Sequence, residues 1–125
     1  MTKVLIIEDS PLIVQILTMV CEGAGHQVAT GERFAEVSSL LARTRPDIII
    51  TDLNLPDLKG QDTLEALREL EGAAQLPVII ISGRPQDELE ALADKHGAQG
   101  ALSKDGGLPF ISANLPPLIE RVLAD

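Results

Sequence analysis

Residues 47–60 read DIIITDLNLPDLKG. A run of isoleucines stops at Thr51-Asp52 and passes into a segment marked by Pro56 and Gly60. An apolar run without alternation belongs to a strand covered on both faces, as in parallel sheets flanked by helices. A carboxylate at the tip of such a strand points to the sheet edge where ligands bind. What Asp52 does there depends on what the other strands bring beside it.

Four further β-rich runs can be read: KVLII (3–7), HQVAT (26–30), PVIII (77–81) and GALS (100–103). The segments between them carry helical spacing. Ser10 is predicted as an N-cap with Pro11 at the first helical position. Ile13, Ile16, Leu17 and Val20 make that helix's apolar stripe, closed by Gly23 and Gly25. Val37, Leu40 and Leu41 predict a second helix, and Leu64, Leu67 and Leu70 a third. Pro85, Asp87 and Glu88 open a fourth, the amphipathic run QDELEALADKH, with acids at its positive end. Leu115, Leu118, Ile119, Val122 and Leu123 mark a fifth. The alternation predicts an α/β fold, a (βα)5 doubly wound five-stranded parallel sheet, as one domain over 1–125. The stretch DGGLPFISANLPP (105–117) reads as a long connection whose prolines leave the start of the last helix open.

Composition narrows the function. At 125 residues, 45% apolar and 23% charged, the chain can bury one core without staples and is not disordered. No apolar run approaches the ~18 residues of a membrane span. The N-terminus MTKVLIIEDS has no signal-peptide cleavage pattern, and a lone Cys21 cannot form an internal disulfide. A cytoplasmic location is expected, with Cys21 as a small core residue. A net charge of −9 repels phosphate backbones and anionic lipid, so this segment is expected to bind neither nucleic acid nor membrane. With 2% aromatics and no Trp or Tyr, flat cofactors and bases have little to stack on.

The strand ends carry the chemistry. Glu8-Asp9 follow the first run, Asp52 the third, Ser82 the fourth and Lys104 the fifth. Three carboxylates at ~5 Å repel by about 3 kcal/mol per pair at an effective dielectric of ~20. Such a cluster needs a proton or a cation, and hard oxygen ligands without His or Cys favour Mg²⁺, or Mn²⁺. Lys104 offers a fixed positive charge and Ser82 a hydroxyl donor. Asp52 among them is a plausible nucleophile for a phosphoryl group.

These residues resemble the receiver domain of the two-component response regulators, across nearly the whole chain. The match lies in Glu8-Asp9, in Asp52 within TDLNLPDLKG, in Ser82 within IIISGR and in Lys104 within GALSKDG. The spacings are 43, 30 and 22 residues (9 to 52, 52 to 82, 82 to 104). The resemblance implies the flavodoxin-like strand order 2-1-3-4-5. It implies a phosphorelay switch in which Asp52 takes a phosphoryl group from a sensor histidine kinase or histidine phosphotransfer protein. It further implies Mg²⁺ on Glu8 (through water), Asp9, Asp52 and the Asn54 backbone carbonyl, with Ser82 and Lys104 on the phosphoryl oxygens. Gly83 would leave room for that group, and Asn54 and Arg84 would tune its hydrolysis. Output would pass to a downstream protein or a linked output domain, and the only enzymatic activity would be self-phosphorylation with slow autodephosphorylation.

Two positions depart from the family's pattern. Ala101 stands where an aromatic residue is usual three positions before the lysine, and Asp105 where proline often follows it. A cis bond before a non-proline residue costs about 2.5–4 kcal/mol, so a trans bond is expected. Asp57 and Asp62 read as loop and cap acids, Lys59 as solvent-exposed, Thr51 as a strand-end residue, and His26 and His96 as isolated. Three rival readings stand beside this one. An Mg²⁺-dependent aspartate phosphatase would need a second Asp as general acid, and Asp52-Leu53-Asn54 supplies an amide instead. A flavodoxin-like cofactor binder would need a hydroxyl-rich phosphate loop and aromatics. A receiver-like interaction module without phosphate chemistry is the third.

Overall fold

The computed structural model describes residues 2–58 and 62–124, so Lys59 lies outside the described residues. Five strands alternate with five helices. They are β1 (Lys3–Ile7), α1 (Pro11–Gly23), β2 (Gln27–Gly31), α2 (Val37–Thr44), β3 (Ile48–Asp52), α3 (Thr63–Arg68), β4 (Val78–Ser82), α4 (Gln86–His96), β5 (Gly100–Ser103) and α5 (Gly107–Ala124). A short 3-10 turn, Phe34–Glu36, leads into α2. The sheet runs β2-β1-β3-β4-β5 with every pairing parallel. The chain reverses its direction of travel across the sheet between β1 and β3, and the crevice there opens at the strands' carboxyl ends.

Strand periodicity sorts the core into two layers. Leu5, Ile7, Ile49 and Ile80 face α2, α3 and α4, meeting Leu40, Leu64, Leu67 and Leu89. Their neighbours Val4, Ile6, Ile48, Ile50, Ile79 and Ile81 face α1 and α5, meeting Leu17, Cys21, Ile111, Leu115 and Ile119. Every residue of β3 and β4 is buried, which explains why those runs show no alternation. Burying each isoleucine side chain contributes roughly 1.5–3 kcal/mol. Cys21 is a core residue as expected, and burial pushes its thiol up to about 12.

Helix boundaries follow local chemistry, with three differences from the sequence reading. Pro11 does open α1, but the side chain of Ser10 makes no capping bond. Helix α3 stops at Arg68, leaving Leu70 outside it. Gly72 lies two residues beyond Leu70 at φ +89°, and the Arg68 guanidinium gathers the carbonyls of Ala73 (2.9 Å) and Leu76 (2.7 Å) into a turn.

The largest difference is in 105–117, which is mostly helix: α5 begins at Gly107. Pro109 falls in the first turn, where an amide hydrogen has no intrahelical partner anyway. Pro116 and Pro117 sit inside the helix. The carbonyls they leave without a donor belong to Ser112 and Ala113, both exposed and open to water. The buried series Ile111, Leu115, Ile119 and Val122 outweighs the proline penalty by packing on the sheet. No helix among the described residues is long and apolar enough to cross a membrane.

Candidate functional site

The crevice collects the polar residues of four strand ends. Glu8 follows β1 and is wholly buried, with its backbone N–H on the Gly31 carbonyl at 3.0 Å. Asp52 is the last residue of β3, in register with Ile81 and 4% exposed. Ser82 ends β4 and Lys104 follows β5, tied together by the Lys104 N–H on the Ser82 carbonyl at 2.8 Å. One carboxylate oxygen each from Glu8, Asp9 and Asp52 lies within 4.8 Å of the others. Asp9 is the exposed member and opens the cluster to solvent.

Lys104 offsets the repulsion in part. Its Nζ donates to Glu8 Oε1 at 2.7 Å and to Asp52 Oδ2 at 3.0 Å. Each acid also accepts a backbone donor on its other oxygen: the Ser10 N–H at 2.9 Å for Glu8 and the Asn54 N–H at 3.0 Å for Asp52. Burial raises the Glu8 carboxyl above its ordinary range, against the opposing pull of Lys104 and the Ser10 amide. Burial works against the Lys104 charge too, but bonds to Glu8 and Asp52 outweigh it and hold the ammonium's pKa up. The two shifts act oppositely on the pair. The charged ammonium is the firmer feature, because two carboxylates hold it at once.

The segment after Asp52 is fixed at several points. Thr51 Oγ1 donates to the Asp52 carbonyl at 3.1 Å, and the Leu53 N–H carries the ladder to Ile81. Thr63 Oγ1 reaches back to the Leu53 carbonyl at 2.9 Å. Asp62 caps α3, accepting from the Leu64 and Glu65 amides. Asp57 receives the Phe34 and Ala35 amides at 2.9 Å each, joining this loop to the 3-10 turn. Those donors outweigh desolvation and hold the Asp57 carboxyl below its usual range. Both acids are thus the loop and cap residues expected, though the reach of Asp57 to residues 34 and 35 had no signal in sequence.

Other expectations fare unevenly. Ser82 is buried, and its hydroxyl accepts the Arg84 N–H at 3.3 Å. Arg84 is exposed and turns its guanidinium to Glu88 at 3.2 Å, away from the acids. A Cβ built on Gly83 meets nothing within 4 Å, so no neighbouring atom in this state demands glycine there. Ala101 is buried in β5, and no described peptide bond, Lys104–Asp105 included, is cis. His96, read as isolated, is not: its Nδ1 lies 2.7 Å from Asp62 Oδ2, so the end of α4 meets the cap of α3. Its partner lies 34 positions away, which no local pattern reveals.

A parallel sheet of this order, with an acid cluster and a lysine at the carboxyl edge, can hold a cation and receive an anionic group. The family model of the response regulator receiver domain matches residues 4–114. The transcriptional regulatory protein KdpE of the KDP operon in Escherichia coli K12 is 36% identical over 121 residues, covering 97% of this chain and 52% of KdpE. Protein PilH of Pseudomonas aeruginosa PAO1 is 32% identical over 125 residues, covering 99% of each chain. The solved structure of chemotaxis protein CheY4 of Vibrio cholerae superposes with a TM-score of 0.80 at 29% identity, covering 98% of each chain. The chain belongs to the response regulator receiver domain family. It spans about half the length of the KdpE relatives and nearly all of PilH.

Proposed function

We propose that Asp52 is the phosphoryl acceptor of a two-component phosphorelay switch. The observation that carries this reading is the cluster of Glu8, Asp9 and Asp52 with Lys104 bonded across it. A carboxylate oxygen of Asp52 attacks phosphorus, the bond from phosphorus to the donor breaks, and the donor leaves with that electron pair. The donor would be the phosphohistidine of a sensor histidine kinase or of a histidine phosphotransfer protein. Lys104 would shift part of its hold from Asp52 to a phosphoryl oxygen, and Ser82 would donate its hydroxyl to another.

The donor set suits a small hard dication. Carboxylates of Glu8, Asp9 and Asp52 and the carbonyl of Asn54 are all oxygen ligands, as Mg²⁺ or Mn²⁺ prefers. When bound, the ion would supply charge neutralisation of the transferring oxygens. Asn54 can neither give a proton to an ester leaving group nor take one from an attacking water, so the aspartyl phosphate would hydrolyse slowly and the domain would act as a timer and not as a phosphatase. We assign residues 1–125 to this one domain and place its work in the cytoplasm, beside its kinase. Its output would be a downstream protein or a linked output domain.

Intact-mass spectrometry tests the assignment. One phosphoryl group per chain is expected from acetyl phosphate, only with Mg²⁺ or Mn²⁺, and none for Asp52→Asn. Normal uptake by that variant overturns it.

A further inference from the structure

β5 is an edge strand, and nothing in the sheet pairs with its outer side. Unpaired strand edges are a hazard that folds usually cover. Here the cover is one side chain. Gln86, the first residue of α4, donates from Nε2 to the Ala101 carbonyl at 2.8 Å and accepts the Ser103 N–H on Oε1 at 2.8 Å. A carboxamide carries one donor side and one acceptor side, as a peptide group does. Gln86 therefore satisfies β5 as a neighbouring strand would. Beside it, Ser103 Oγ donates to the Arg84 carbonyl at 2.7 Å. The loop from Ser82 to Gln86 is thus sewn to β5 at two points. Ala101 offers only a methyl group here, so its own side chain has no rotamer to switch with the state of the site.

We infer that Gln86 is a coupling residue, a detachable strand-edge clamp that carries the state of Ser82 to β5. It rests on the acceptor reading above. Ser82 and Gln86 are four residues apart, and the Ser82 hydroxyl holds only a long bond to the Arg84 N–H. Drawing that hydroxyl to a phosphoryl group on Asp52 pulls on the segment that Ser103 and Gln86 hold. Any strain is then felt at Ala101 and Ser103. Ala101 and Gln86 themselves line a groove of about 590 Å³ between α4 and α5, together with Glu90 and Leu118.

The test uses Gln86→Met, which keeps length, helix propensity and packing but makes neither bond. Amide exchange of Ser103 in the protein without any phosphoryl mimic should rise at least about ten-fold in the variant. An unchanged rate overturns the clamp, whatever the fate of the acceptor reading. Beryllofluoride with Mg²⁺ is then added. In the unaltered protein the amides of Ser82, Gly83, Ala101 and Ser103 should shift. In Gln86→Met the first two should shift as before, and the last two by less than about half as much. Equal shifts at Ala101 and Ser103 in both proteins overturn the coupling. No shift at Ser82 in the unaltered protein overturns the acceptor reading and the coupling with it.

Discussion

Glu8 and Lys104 stand 96 residues apart in the chain and 2.7 Å apart in space. The pair joins the end of β1 to the end of β5 across β3 and β4, with the Asp52 carboxylate also on the ammonium at 3.0 Å. Removing one member of such a buried pair leaves an uncompensated charge, at a cost of roughly 3–5 kcal/mol. Lys104→Met is therefore expected to lose about 3 kcal/mol in urea melts at pH 7 without metal. The loss should depend on pH in one direction. The folded pKa of Glu8 is raised by burial, so the folded chain binds that proton more tightly than the unfolded chain does. The penalty is present above the folded value and relieved as pH falls through it. The gap between variant and unaltered protein should narrow as pH falls below 7, and a gap that widens would contradict the assignment.

Asp9 is the cluster's exposed acid and has no part in the Lys104 bonds. Asp9→Asn should lower Mg²⁺ affinity by ten-fold or more while leaving metal-free stability equal or slightly higher. Titration calorimetry and urea melts report the two halves. Marked destabilisation of the metal-free variant would mean that carboxylate repulsion does not govern the site.

Asp62 works twice, as the cap of α3 and as the partner of His96. Losing the cap costs about 1 kcal/mol in comparable helices. Asp62→Ala should cost about that, and Asp62→Asn, which can still cap, a few tenths. Equal losses for both variants would assign the stabilisation to the His96 contact instead.

Signal transmission should favour one side of the molecule. With Ala101 in β5, amide shifts on adding beryllofluoride and Mg²⁺ are expected to be larger at 83–90 than at 108–123. The reverse pattern in two-dimensional NMR spectra would rule this out.

The acid cluster was legible because strand tips are local events: an apolar run ends and a carboxylate follows. Glu8, Asp9, Asp52, Ser82 and Lys104 each sit at such a tip, and a parallel sheet brings the tips to one edge. The links that hold the loops were not legible in this way. Asp57 to Phe34 and Ala35, His96 to Asp62, and Gln86 to β5 all join side chains to elements far off in sequence, with no periodicity to announce them. The start of α5 was obscured because local propensity counted its prolines as breaks. The buried series from Ile111 to Val122 overrode them through contacts with the sheet.

Those prolines have a mechanical consequence. Of the four i→i−4 bonds that would span the junction of Leu115 and Pro116, two have no donor. The ladder of α5 is perforated at mid-length, and perforated helices open in pieces. The segment 107–115 can detach as a sub-global unit at lower free energy than 118–123, which keeps continuous bonding. Native-state hydrogen exchange should show two isotherms along one helix, with the N-terminal half exchanging first as urea is raised. The tether of that half to the sheet is then Ile111 and Leu115 with the half-buried Phe110 beside them, and the chain just beyond Lys104 is fastened less firmly than the second half of its own helix.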